Sequence, residues 1–395
     1  MPHDPLVPMS SPDLTDLERQ AVARVLQTPN LSMGEEIQSF EAAFRQHTGW
    51  KHAIGVNSGT AGLHLCVRAV GVSEDDLVIT TPFSFVASAN VLLFERAVPV
   101  FVDVDPITGN LDPQGLLQAV TEIGNGGEAG KAWLPRTGYN GSGKLKAILP
   151  VDVFGQPADY DPIRKVAQEH GLVIIEDACE ALGAEYKGRK AGTLGDLGVY
   201  AFYPNKQITT GEGGLIVTDD DQAATLMRAL RNQGRAPGDT WLQHTHLGYN
   251  YRLDEMSAAL GRVQMSRLDE LITRRERVAD WYNQRIAEIP GVESPQLATP
   301  TTRASWFVYV ARFAPGIDRD RVAGALGELG IPARPYFLPI HLQPYMMERF
   351  GYREGDFPVT EDLGRRGLAL PFSGIMSEAQ VDQVCRALVQ ALKAN

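Results

Sequence analysis

Residues 172–184 read LVIIEDACEALGA, and residues 201–218 read AFYPNKQITTGEGGLIVT. Leu172–Glu176 is an unbroken apolar, β-branched run rather than an alternating one, which suits a strand buried on both faces. Asp177 closes it. A second such strand, Val199–Phe202, runs out at Lys206, and the glycine turn Gly211-Glu212-Gly213-Gly214 leads into a third, Leu215–Thr218. Further apolar runs lie upstream at Leu77–Thr81, Val98–Val102 and Ala147–Val151, with amphipathic segments such as Ala61–Val70 and Tyr160–His170 between them. Strands alternating with helices predict an α/β domain built on a mostly parallel sheet flanked by helices.

Downstream the pattern changes. From Leu253 to about Ile289 it is helical, and it reads as one or two long helices leading out of the first domain. Trp306–Phe313 then reads as a strand, Arg319–Leu329 as a helix and Glu378–Leu392 as a final helix. The expectation is a large domain over residues 1–265, N-terminal segment included, and a smaller α+β domain over residues 266–395. Gly124–Lys144, rich in glycine and polar residues, reads as a surface excursion before the next strand.

A net charge of −11 over 395 residues disfavours nucleic acid and anionic membranes as partners. No apolar run approaches the roughly 20 residues of a membrane span. The opening MPHDPLVPMSSPDL has neither the basic start nor the apolar core of a secretion signal. Cys66, Cys179 and Cys385 are odd in number and far apart, which fits a reducing cytoplasm. The expected location is cytoplasmic.

In an open parallel sheet, ligands bind beyond the carboxyl ends of the strands. Asp177 and Lys206 stand at that edge. Alone, the aspartate could be a helix cap and the lysine a surface residue. Together, a buried carboxylate and an amine suit pyridoxal 5′-phosphate (PLP): the carboxylate keeps the pyridine nitrogen protonated, and the amine forms a Schiff base. Asn57-Ser58-Gly59-Thr60-Ala61 opens a helix, where free N–H groups and the helix dipole attract a phosphate. An ordinary N-cap by Ser58 or Thr60 is the other reading of that stretch.

The ordered set SGTAGLHL, PFSFVASAN, DVFGQPADYD, IIEDACEALGA, FYPNKQITTGEGG and GYNYRLDEMSAALG resembles the DegT/DnrJ/EryC1/StrS family, from about Leu31 to the HLQPY and LPFSG segments. The resemblance implies a fold-type I PLP enzyme with a seven-stranded sheet, acting as an aminotransferase on nucleotide-linked keto-sugars. It implies that Lys206 carries the cofactor and shuttles the proton, that Asp177 holds the pyridinium nitrogen, and that Phe85 stacks on the ring. By the same resemblance Gly59, Thr60 and Ala61 cradle the phosphate, Glu180 lies near the 3-hydroxyl, and Asn250 reaches the cofactor of the neighbouring subunit in a homodimer. An amino-acid donor, glutamate in the family, and ping-pong turnover are implied as well.

Tyr336 and His341, in ARPYFLPIHLQPY, are candidate substrate contacts, as is Arg252, for which a salt bridge to Asp254 or Glu255 is the alternative. The chain departs from the family at Ala201, where many members have serine, and at Asp152, where histidine is common. A lysine at position 206 favours transamination, because relatives that dehydrate sugars carry histidine there. A keto-cyclitol is the alternative acceptor, and a binding protein without turnover is the alternative class. His244 and His246 have no third ligand at a suitable spacing, so no metal site is expected.

Overall fold

The computed structural model describes residues 7–393. Its main sheet holds seven strands: β1 (His52–Val56), β2 (Leu77–Thr80), β3 (Val98–Phe101), β4 (Leu145–Ile148), β5 (Val173–Asp177), β6 (Leu197–Ala201) and β7 (Gly214–Thr218). Their spatial order is β1-β7-β6-β5-β4-β2-β3. Only β7 runs against its neighbours, β1 and β6; every other neighbouring pair is parallel. Every residue of β2, β3 and β7 is buried, as unbroken apolar runs require.

Six of these strands overlap the apolar runs of the sequence. The seventh, β1, does not announce itself locally, because HAIGV carries a glycine in mid-strand. That glycine has a packing reason: a Cβ at Gly55 would lie 2.5 Å from Ile37 Cδ1, on the helix Glu35–Thr48.

The second body is built on Val292–Glu293, Tyr309–Phe313, Gly367–Leu370 and Arg334–Pro335, a four-stranded antiparallel sheet in that order. Its core gathers Tyr282, Tyr309, Phe313, Leu326 and Leu388, from strands and from the helices Leu268–Ile286, Arg319–Glu328 and Glu378–Lys393. This is the α+β arrangement expected. The long helical stretch proves to be two helices, Glu255–Ser266 and Leu268–Ile286, broken at Arg267. The Arg267 guanidinium turns to Asp13, Glu18 and Glu270 at 2.9, 2.8 and 3.2 Å.

Residues 7–13 touch the smaller body. Val7 is buried in the core of the smaller body, and the Phe372 N–H donates to Met9 O at 2.9 Å. Asp13, a few residues on, pairs with Arg267 and Arg274. The N-terminal segment therefore straps the C-terminal body, a placement that no local pattern encodes.

The excursion Gly124–Lys144 is anchored at the amino ends of β2 and β4, the edge opposite Asp177. Asp75 accepts from Asn140 N, Ser142 N and Gly143 N at 3.1, 2.9 and 3.1 Å, and Arg136 pairs with Asp356 at 2.6 Å.

Asp152, fully buried just beyond β4, accepts from Ala158 N and from the Tyr160 hydroxyl, both at 3.0 Å on Oδ1, and leaves Oδ2 without a donor. Glu176, also fully buried, accepts from the N–H groups of Gly192, Leu194 and Gly195. Burial, then the neighbouring Glu176 carboxylate, push the Asp152 carboxyl well above the aspartate range. Burial raises the Glu176 carboxyl as well, against the three N–H groups that donate to it. An acid raised on folding stabilises the fold below its unfolded pKa and loses that contribution as pH rises. Asp152→Asn keeps the shape of the side chain and removes the titrating carboxyl. It should flatten the decline of stability as pH rises above the ordinary aspartate range by up to about 1.4 kcal/mol per pH unit, measured by calorimetry of the cofactor-free protein.

Candidate active site

β5 ends on Asp177, and the chain leaving β6 reaches Lys206 at the same sheet edge. Asp177 is 5% exposed and accepts from Cys179 N at 3.2 Å. Burial lifts its carboxyl above the ordinary range, and the charge of Lys206 opposes part of that rise. Lys206 Nζ sits 3.7 Å from Glu180 Oε1 and 3.8 Å from the centroid of the Phe307 ring. Glu180 accepts from Phe154 N at 2.9 Å on its other oxygen, and burial raises its carboxyl too. Two buried carboxyls and one amine therefore share the edge, a set that is electrostatically incomplete without a ligand carrying charge of its own.

The FGQP turn is held against the smaller body. A Cβ at Gly155 (φ +92°) would lie 2.7 Å from Trp306 N and 2.9 Å from Phe307 N, so only glycine admits this approach. Ser305 N donates to Gly155 O at 2.9 Å, and Gln207 Nε2 donates to Ser305 Oγ at 2.8 Å. The segment Ser305–Phe307 thereby becomes a wall of the Lys206 pocket.

Gly59 opens the helix Gly59–Ala69, and a Cβ there would lie 2.7 Å from Ala201 Cβ and 2.8 Å from Cys179 Sγ. Ser58 is the N-cap: its hydroxyl accepts from Ala61 N at 3.0 Å. The Ala61 N–H is therefore occupied, while those of Gly59 and Thr60 have no acceptor within the helix. Phe85 is 63% exposed, so packing in the core is not its role. Tyr336 lies in the aromatic group with Phe154 and Phe307, and burial, then the charge of Glu180, raise its hydroxyl to about 12.

Other candidates lie differently. Asn250 is exposed, and its carbonyl accepts from Asn57 Nδ2 at 3.3 Å. Arg252 bonds Asn232 Oδ1 at 2.9 Å rather than either neighbouring acid; Asp254 instead caps a helix through Ser257 N, and Glu255 accepts from Gly34 N and Glu36 N. His341, the other candidate substrate contact, lies inside the fold. It is 0% exposed, enclosed beside Phe357 and Tyr352, and bonded to Glu361 at 3.0 Å. Sequence reasoning passed over Phe307, Phe154, Gln207 and Ser305. Only the glycine of FGQP hinted at the close approach that recruits them.

A family model described as the DegT/DnrJ/EryC1/StrS aminotransferase family matches residues 12–389. The chain belongs to this family. Among its relatives is the GDP-perosamine synthase of Caulobacter vibrioides, 40% identical over 98% of this chain and 99% of that one. Solved members superpose closely: DesV of S. venezuelae at TM-score 0.85, 32% identical over 98% of both chains, and DesI, crystallised with its TDP-sugar product, at TM-score 0.84, 30% identical over 99% of this chain and 94% of that one. The DegT/DnrJ/EryC1/StrS member described here is a fold-type I aminotransferase, and its cofactor is PLP.

The residues present fit that cofactor. Asp177 is a buried carboxyl whose rise the charge of Lys206 opposes only in part, the Gly59 and Thr60 N–H groups at the helix start have no acceptor within the helix, and Phe85 is an aromatic ring left open to solvent. Among the described residues, no helix is long and apolar enough to cross a membrane.

Proposed function

We propose that this aminotransferase moves an amino group from an amino acid, glutamate first among candidates, to a nucleotide-linked keto-sugar in two half-reactions. The observation that carries the reading is Lys206 Nζ set between Glu180 and Phe307, on the edge that Asp177 closes. Support for the acceptor comes from the family and from relatives that make GDP-perosamine or hold a TDP-sugar.

PLP, when bound, supplies the electron sink that lets a proton leave the carbon bearing the amino group. Asp177 would hold the pyridine nitrogen protonated, and the Gly59 and Thr60 N–H groups would receive the phosphate at the positive end of their helix. With alanine at 201, no hydroxyl is offered to the phosphate from that position. Phe85 would cover the ring. Lys206 takes the proton from the donor's Cα and, in the second half-reaction, returns a proton to the former carbonyl carbon of the sugar. Glu180 faces its amine during both transfers, and Tyr336 edges the acceptor's pocket.

The test is the visible spectrum of the PLP-loaded protein. Glutamate alone should bleach the yellow band, one equivalent of keto acid should appear, and a keto-sugar nucleotide should restore the colour. A band that glutamate leaves unchanged, while another amino acid bleaches it, would replace the donor. Indifference to every amino donor would sink the reading.

The enzyme works as a homodimer in which Asn250 reaches the neighbouring cofactor's phosphate. Support comes from the loop before Asn250, where Trp241, Leu242 and Leu247 are 77%, 82% and 83% exposed. Such apolar exposure is costly unless another surface covers it. Trp241→Ser with Leu242→Ser should shift the protein towards monomer in analytical ultracentrifugation and lower PLP affinity at least about tenfold; an unchanged dimer would place the interface elsewhere.

A further inference from the structure

Arg275, on the helix Leu268–Ile286, is 4% exposed, and its guanidinium forms no ion pair among the described residues. Its four acceptors are all backbone carbonyls. Nη1 donates to Trp306 O and Phe307 O at 3.0 and 3.3 Å, and Nη2 donates to Asn205 O and Lys206 O at 3.2 and 2.6 Å. One planar fork thus ties the backbone of Lys206 to the backbone of Phe307, whose ring lies against the Lys206 amine.

Burying a cation without a counter-charge is expensive. Burial lowers the Arg275 guanidinium to about 10, with distant Asp13 opposing. A methionine or leucine would fill the space at far less cost, so packing alone does not account for arginine here. Its geometry does: the Lys206 loop and the Ser305–Phe307 wall come from different bodies of the molecule, and a guanidinium can bond two carbonyls on each side at once.

We propose that Arg275 is the positioning residue of Lys206, fixing the distance from the reactive amine to Phe307 and Glu180. The inference rests on Lys206 being the cofactor-bearing lysine. The groups facing that amine are Glu180, Asp177, the Cys179 thiol and, through Glu180, the Tyr336 hydroxyl; Arg275 acts on the backbone behind it. The amine captures the cofactor aldehyde by forming a C=N bond with loss of one water, and the rate of that step reads the placement of Nζ directly.

The experiment compares wild type, Arg275→Met, Arg275→Lys, Phe307→Leu and Lys206→Ala. Cofactor is stripped, PLP is added back and growth of the visible band is followed. Capture should slow at least about tenfold in Arg275→Met and in Arg275→Lys, because a single ammonium cannot bridge the two segments. Kcat for the amino-donor half-reaction should fall by a similar factor, with KM changing less than about twofold. Phe307→Leu keeps the clamp and removes the ring, so its fold should persist if Arg275→Met fails to fold, and its capture rate should also drop. Arg275 variants that capture PLP at the wild-type rate, with only the melting temperature lowered, would overturn the inference. Absence of a Lys206-dependent band in wild type itself would instead refute Lys206 as the attachment point.

Discussion

Lys206→Ala is expected to lower transamination at least about a thousandfold while leaving the fold intact. The residue is asked to do two jobs: covalent attachment of the cofactor and proton transfer between substrate carbons. General acid–base transfer alone is worth about 10² to 10⁴ in rate, and an activated nucleophile adds to it. Stability should change little. The amine lies 3.7 Å from Glu180 with its side chain 13% exposed, and Glu180 is already pushed towards its neutral form by burial. Losing the amine lets Glu180 take up a proton rather than stand as an uncompensated charge. Steady-state turnover with a saturating donor, beside a melting curve, separates the two effects. Retention of full turnover would falsify the assignment of Lys206.

Asp177→Asn should produce the second-largest loss. The substitution preserves shape and removes the charge that keeps the pyridine nitrogen protonated. Breaking a buried ion pair costs roughly 3–5 kcal/mol; if about 3 kcal/mol of that falls on the transition state, turnover drops by roughly a hundredfold. The cofactor-free protein should respond in the opposite direction. There Asp177 is a buried carboxyl whose pKa burial has raised, so it weakens the fold as pH rises above the aspartate range. The asparagine variant should therefore melt at an equal or higher temperature than wild type without PLP and gain less from its addition. A variant that stays fully active, with normal gain on PLP binding, would remove Asp177 from the site.

The chemistry of the edge was legible because it is written in contiguous motifs. LVIIED states a buried strand and its terminal acid, and FYPNK ends a second strand on the amine. What pattern reading could not supply is whatever depends on which distant segments meet. Phe307 looks like one more apolar residue of a strand, yet the strand begins only at Tyr309, and the preceding turn carries the ring to Lys206. His341 offers the imidazole a site would want, but the helix Pro358–Arg366 delivers Glu361 to it and the surrounding aromatics seal it in. Arg275 sits at an ordinary buried position of an amphipathic helix, and its four carbonyl partners come from two segments far away in sequence. Asp152 reads as a departure from its family, and only the folded chain shows it fully buried beside Glu176.

The pairing of β1 with β7 sets a timetable for the ribosome. Val56 lies opposite Gly214 and His52 opposite Thr218, and among the described residues β1 has no other neighbour in the sheet. At about 5–20 residues per second, the first strand emerges roughly ten to thirty seconds before its only partner is made. Throughout that interval HAIGV, four of whose five residues end up buried, is an open β-edge on a growing chain. Nascent-chain binding factors should therefore dwell longest on arrested chains ending between β1 and β7, and release once residues beyond Thr218 have left the exit tunnel.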